Sequence, residues 1–255
     1  MAGKEEMTFW EHLDVFRSSI IKMLVATVAT GIIAFALKDL LFRIVLAPQD
    51  SDFILWRLVG VEPFKIQLIN TGLAEQFLIH MKVALVAGLI VASPYILYVL
   101  FAFVSPALYE NERRYSVRLT LSAYLMFLLG VLVNYFLVFP LTVRFLGTYQ
   151  VNNSVANMLT ISSYVDTLLM LSLMMGIVFE LPVLSWLLAK FGLLRREWME
   201  NYRKHAFVAI LIVAAVITPT SDVITLLIVS LPIWLLYELS IFVVGRVQTN
   251  NLMNS

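Results

Sequence analysis

Six apolar runs decide what this chain can become: Ile20 to Leu37, Phe77 to Val104, Leu119 to Phe139, Tyr164 to Leu188, Ala206 to Ile217 and Val223 to Val244. Most approach or exceed the roughly 20 residues that an α-helix needs to cross a hydrocarbon core of about 30 Å. Backbone N–H and C=O groups in lipid must be satisfied inside the segment, and the runs lack the two-residue alternation of barrel strands, so they are expected to be helices. The expected class is an all-α membrane protein with six spans. With 61% hydrophobic and 14% charged side chains over 255 residues, a soluble globule is excluded. The first run is long and follows a charged head, which is the pattern of a retained anchor rather than a cleaved leader. The chain has no Cys, which removes disulfides, thiolate metal sites and Cys nucleophiles. No cofactor or metal is expected, and nothing points to nucleic acid.

Six spans put both termini on one side, and the basic residues say which. The side of the termini would hold Lys4, Arg17, Lys22, Arg113, Arg114, Arg118, Lys190, Arg195, Arg196, Arg203, Lys204 and Arg246. The other side would hold Lys38, Arg43, Arg57, Lys65 and Arg144, with Lys82 just inside the second run. Lys and Arg collect in cytoplasmic loops, so both termini are expected in the cytoplasm of a multi-pass protein. The lack of a transit-type N-terminus favours a bacterial or archaeal cytoplasmic membrane. Short connections and the lack of linkers or repeats suggest a single integral membrane domain over residues 1–255. Between the first two runs, LLFRIVLAP and FILWRLVG read as short interfacial helices. The Thr8 to Glu11 stretch matches a capping box that starts a helix at Phe9. The fifth run, Ala206 to Ile217, is only about 18 Å long at 1.5 Å per residue, so either it sits behind other helices or the bilayer thins beside it, and thinning is the expectation.

Several stretches, in order, resemble one family. EHLDVFR, EQFLIHMKVALVAGLIVASPYILYVLFAFVSPALYENERR, NYFLVFP, MGIVFELPVLSWLLAKFGLL, ITPTSD and LPIWLLYELSIF run from Glu11 to Phe242 and are similar to the TatC family, multispanning receptor subunits of the twin-arginine protein translocase. The resemblance implies a glove-shaped six-helix bundle. It also implies a function: recognition of twin-arginine signal peptides on folded cargo, assembly with TatA- and TatB-type single-span partners, possible self-association, and transport driven by the proton-motive force. No G-x-x-x-x-G-K phosphate loop is present. Pro48, Pro106, Tyr135 and Pro182 lie in the outer segment and the matching stretches, and are assigned structural roles.

Glu112 matches the loop glutamate through which the family binds the signal arginines, and Phe103 sits at a position linked with recognition. A guanidinium presents a planar fork that a carboxylate accepts at two points, whereas a lysine ammonium does not reproduce that geometry. An exposed ion pair contributes only about 0 to 1 kcal/mol, so a receptor needs shelter and a second acid. Phe103, Pro106 and Tyr109 could shelter the site. Taken by spacing alone, Glu110 and Glu112 could equally pair with Arg113, Arg114 or Arg118 in their own loop. The family's second glutamate is Val15 here. Glu11 lies about 40° from position 15 around a helix and Asp14 about 100°, and both stay open as substitutes beside simpler capping or solvated roles.

Glu180 precedes Leu181-Pro182 in the middle of the fourth run, where a charge costs at least about 2.5 to 3.5 kcal/mol, so it should face protein or a wet cavity. It either packs the bundle or contacts a partner helix. Thr218, Pro219 and Asp222 match the family's T-P-x-D element with one extra residue, and either meet a partner helix or cap the last span. Two other functions compete. A proton-coupled small-solute transporter would use Glu180, although no paired broken helices or repeated halves are visible. An intramembrane enzyme finds no ligand cluster or Ser-His arrangement, and no catalytic residue is assigned.

Overall fold

The structure, a computed structural model, describes residues 9–50, 52–60, 66–104, 113–149, 152, 158–218 and 222–253. At 9, 11, 12, 104, 113–118 and 250–253 only the backbone is described. Helices dominate: α1 (Phe9–Ala36), α2 (Lys38–Leu46), α3 (Ile54–Val59), α4 (Glu75–Val104), α5 (Arg113–Val133), α6 (Phe139–Thr148), α7 (Ile161–Val178), α8 (Leu181–Lys190), α9 (Arg196–Asn201), α10 (Arg203–Ile217) and α11 (Val223–Met253). Two short strands, β1 (Leu68–Ile69) and β2 (Leu159–Thr160), pair in parallel with Leu68 opposite Leu159.

Five stretches are long and apolar enough to cross a membrane: Leu13–Ala36, Glu75–Phe103, Leu119–Thr148, Ile161–Lys190 and Val223–Thr249. The fifth run of the sequence is α10, with 15 residues, about 22 Å of helix. Its length separates it from the other five. The chain divides into two compact units, Met1–Lys38 with His80–Tyr124, and Asp39–Ile79 with Leu125–Ser255.

In the first unit, α1 and α4 form an antiparallel pair. α1 runs without a break from Phe9 into the span, so the interfacial start and the first apolar run are one helix. Its hydroxyls do not disturb it: Thr27 Oγ1 donates to Met23 O at 2.9 Å and Thr30 Oγ1 to Ala26 O at 2.8 Å. Thr30 Oγ1 also donates across the pair to Gly88 O at 2.8 Å. The backbones nearly touch there, since a Cβ on Gly88 would lie 2.5 Å from the Gly31 nitrogen. Only glycine allows that approach, the small-residue contact by which membrane helices gain van der Waals packing. Pro94 removes an N–H inside α4 and so frees the carbonyl of Ile90, which Ser93 Oγ takes up at 2.7 Å.

In the second unit, the third apolar run continues well past its expected end at Phe139, through α6 to Thr148. Between α5 and α6 a five-residue π-helical turn, Asn134–Val138, loosens the ladder just ahead of Pro140, and the Phe139 N–H reaches Asn134 O. A proline with no N–H to give is a common reason for such a turn. The connection from α2 to α3 is tied to these helices by two tyrosines: Tyr135 Oη donates to Ile44 O at 2.8 Å and Tyr164 Oη to Val45 O at 3.0 Å. Pro48 and Trp56 are buried beneath, with the Arg144 guanidinium 5.0 Å from the Trp56 ring centre. The sixth run also outlasts expectation, because α11 extends to Met253. Its final turns bury Ile241 and Val244 against Ala189 of α8 and Met199 of α9, and Tyr237 Oη donates to Met199 O at 2.8 Å.

Candidate functional site

The residues singled out from the sequence fall into two groups, one in each unit. In the first unit, the pairing of α1 and α4 is pinned at three levels. Near one end His80 stacks on Phe35 at 4.0 Å, with Nε2 3.1 Å from Phe35 O. The glycine contact lies between, and at the far end Phe16 meets Phe103, ring centres 5.4 Å apart. This last contact sets Phe103, nine residues before Glu112 in the chain, beside the helical turn of α1 that carries Asp14 and Val15. A groove of about 530 Å³ follows α1 here, lined by Trp10, Leu13, Phe16 and Ile20 with Asp14 and Arg17 at its polar margin.

Around the α1 axis, Asp14 borders the groove, whereas position 15 projects about 100° further round and position 11 about 40° from it. Val15 is itself exposed, leaving an uncharged patch where an acid would be displayed. Both candidate substitutes therefore lie on the same side of Val15, with Glu11 between Asp14 and Val15 around the axis. Of Glu11 only the backbone is described, and the Thr8 partner of its expected capping box lies outside the described residues. Pro106, Tyr109, Glu110 and Glu112 also lie outside the described residues, while Arg113, Arg114 and Arg118 are described by backbone alone.

In the second unit, Glu180 stands at the break between α7 and α8. The break follows from the sequence: Pro182 has no N–H for the Val178 carbonyl, and Glu180 N–H turns to Ile177 O at 3.1 Å, a tighter i to i−3 bond. The Glu180 side chain is 9% exposed, and neither carboxylate oxygen has a hydrogen-bond partner among the described residues. One turn earlier α5 presses on α7, where a Cβ on Gly130 would come within 2.5 Å of Met175 O and 2.9 Å of the Phe179 Cβ. That contact fixes the backbone beside the acid.

Thr218 and Asp222 stand at the two ends of the α10–α11 connection. Thr218 Oγ1 donates to Ala214 O at 2.9 Å, and Asp222 Oδ1 accepts from Thr225 N–H at 2.6 Å, an N-cap for α11. The capping alternative for Asp222 is thus realised in the fold, while Pro219 between them lies outside the described residues. At the opposite end of the same hairpin, Arg203 and Glu238 pair at 2.8 Å.

Sequence reasoning passed over a buried polar group in this unit. Asn134 is fully buried and donates from Nδ2 to Ser172 Oγ at 2.9 Å, while its Oδ1 has no partner among the described residues. The signal was present in NYFLVFP, where a single amide interrupts an apolar run and must be satisfied by a neighbouring helix. No group of three or more His, Asp or Glu with metal-binding geometry occurs among the described residues.

The family model "Sec-independent protein translocase protein (TatC)" matches residues 11–232. Among similar proteins, the Sec-independent protein translocase protein TatC of Carboxydothermus hydrogenoformans is 34% identical, the match covering 93% of this chain and 92% of that protein. The TatC of Aquifex aeolicus is also 34% identical, over 95% of this chain and 96% of that protein. The TatC of Blattabacterium sp. subsp. Periplaneta americana is 31% identical, over 94% and 96%. A crystal structure of the twin-arginine translocase receptor TatC superposes with a TM-score of 0.77 at 34% identity, covering 93% of this chain and all of that one. These names describe a protein translocase and no enzymatic activity. Together with five membrane-length apolar helices, they establish a multi-pass membrane component of a Sec-independent translocase. The chain belongs to the TatC family.

Proposed function

We propose that this protein is the signal receptor and core subunit of its translocase, binding twin-arginine signal peptides of folded cargo on its cytoplasmic face. In this reading it is a single integral membrane domain that crosses the membrane six times, with α10 as the short crossing and both termini in the cytoplasm. Glu112 accepts the signal guanidiniums, Phe103 shelters them, and Asp14 or Glu11 supplies the second acid that Val15 does not. The observation that carries the reading is the Phe16–Phe103 contact, which brings the end of α4 leading to Glu112 against the acid-bearing turn of α1. Partial shelter matters for strength: two unit charges 4 Å apart interact by about 4 kcal/mol at an effective dielectric of 20, against about 1 kcal/mol in water.

TatA- and TatB-type single-span helices are the proposed partners in the bilayer. Glu180, Thr218 and Asp222 are their proposed polar contacts, and the proton-motive force is the energy source. Self-association is compatible with this arrangement. The deciding experiment is site-specific crosslinking from position 112 to a twin-arginine peptide and to its twin-lysine counterpart. Strong crosslinking to the first and weak to the second is expected, and equal yields would overturn the receptor reading.

One observation favours a second reading, a proton-coupled small-solute transporter: the buried Glu180 carboxylate without a hydrogen-bond partner among the described residues. Proteoliposomes holding this chain alone separate the two. A proton-driven solute flux lost in Glu180→Gln supports the transporter, and the receptor should move no solute.

A further inference from the structure

We propose that Arg195 and Arg246, where Arg196 packs the start of α9 against α11, bind the phosphate of an anionic phospholipid. The backbone brings the three stems to one place. Arg196 N–H donates to Gln248 Oε1 at 3.2 Å, and the Arg196 side chain crosses Gly245, its Cδ 2.9 Å from where a Cβ would stand. Arg195 and Arg246 are the chain neighbours of those two contact points.

The three guanidiniums are engaged differently. Arg196 Nε is committed to Glu200 Oε1 at 2.8 Å. Arg195 instead lies over Trp198, 5.6 Å from the ring centre, and Arg246 over Phe242 at 4.6 Å. A cation–π contact uses the charge of a guanidinium without consuming its five N–H donors. Neither Arg195 nor Arg246 has a carboxylate partner among the described residues. Two guanidiniums on segments joined by the Arg196–Gly245 contact suit a phosphate oxyanion.

Position selects a lipid as the source of that phosphate. Phe242 and Arg246 fall in the last two turns of the Val223–Thr249 span, and the Ile161–Lys190 span ends just before α9. The supporting rings are half exposed, Trp198 at 49% and Phe242 at 55%. Cations above exposed aromatic rings at a span end match the headgroup layer, where Trp collects and basic residues meet acidic lipids.

The test is native mass spectrometry of the full chain in detergent, titrated with phosphatidylglycerol or phosphatidylcholine. The expected result is retained phosphatidylglycerol in preference to phosphatidylcholine, reduced by about tenfold or more in R195Q/R246Q and unchanged in the remote control K38Q/R43Q. Either single variant should lose part of the preference, which keeps the site testable if the double variant fails to unfold cooperatively like the parent. Equal retention of the two lipids, or an unaltered preference in the arginine variants, would overturn the site. Release of the bound lipid by millimolar inorganic phosphate would overturn the choice of a lipid ligand.

Discussion

In the proposed receptor, single residues decide which acids meet the signal arginines. Glu112→Gln keeps the shape of the side chain and removes its charge. A hydrogen bond to a charged group contributes about 1.5 to 3 kcal/mol, so the variant should bind a twin-arginine peptide roughly ten- to a hundredfold more weakly by fluorescence titration. Unchanged affinity would remove Glu112 from the site. Val15→Glu tests the departure from the family pattern in the opposite direction. Val15 is exposed, so a new acid there adds at most about 1 kcal/mol, up to about fivefold in affinity, and a decrease would show that the arginines approach another face of α1. Glu11→Gln and Asp14→Asn then identify the existing helper, since the one that matters should lose its effect in the Val15→Glu background. The sequence points to Glu112 through the order and spacing of many family motifs. It left the helper open because two acids on one helix differ only in rotation, and a capping side chain and a binding one share the same residue type.

Elements show more clearly what was readable and what was not. The membrane helices were legible because an apolar run in lipid has few backbone solutions, but their ends were not. α11 outlasts its apolar run to Met253, and past the end of that run Val247 packs on the cluster shared by α8, α9 and α11, a tertiary gain with no local signal. The π-turn before Pro140 and the Asn134–Ser172 bond escaped notice for the same reason, since each depends on a neighbouring helix. The crossing of α1 and α4 gives a sharp prediction at this scale. Gly88→Leu forces a side chain into the Gly31 backbone, and overpacking of this kind costs about 1 to 3 kcal/mol. A lower thermal midpoint is expected in detergent, together with weaker crosslinking from position 112, because the same crossing holds Phe103 beside α1. Full stability would mean that the helices pack more loosely than the contact implies. The length of α10 carries another prediction. Its 15 residues reach about 22 Å against a core of about 30 Å, and the Arg203–Glu238 pair fixes its charged end. Electron cryomicroscopy of the protein in nanodiscs should show a bilayer about 8 Å thinner beside α10, and bulk thickness there would sink the thinning hypothesis.

For the whole molecule, the proposed placement of both termini in the cytoplasm rests on α10. Five long apolar stretches alone would place the termini on opposite sides of the membrane, whereas α10 as a sixth crossing returns the C-terminus to the side of the N-terminus. Glu112 and the α8–α10 connection follow two and four spans and share the side of the N-terminus in either case, whereas only the even count brings the end of α11 with Arg246 to that side, where the positive-inside tendency puts basic residues. The absence of Cys makes the test direct, because each introduced thiol is unique. Ala2→Cys and Ser255→Cys should both resist a membrane-impermeant maleimide added to whole cells and both react in inverted vesicles. Leu73→Cys, at a fully exposed position ahead of α4, should do the reverse. Labelling of Ala2→Cys and Ser255→Cys from opposite sides would mean that α10 does not cross. The proposed cytoplasmic face would then lose the end of α11 with Arg246, and the thinning expected beside α10 would have no cause.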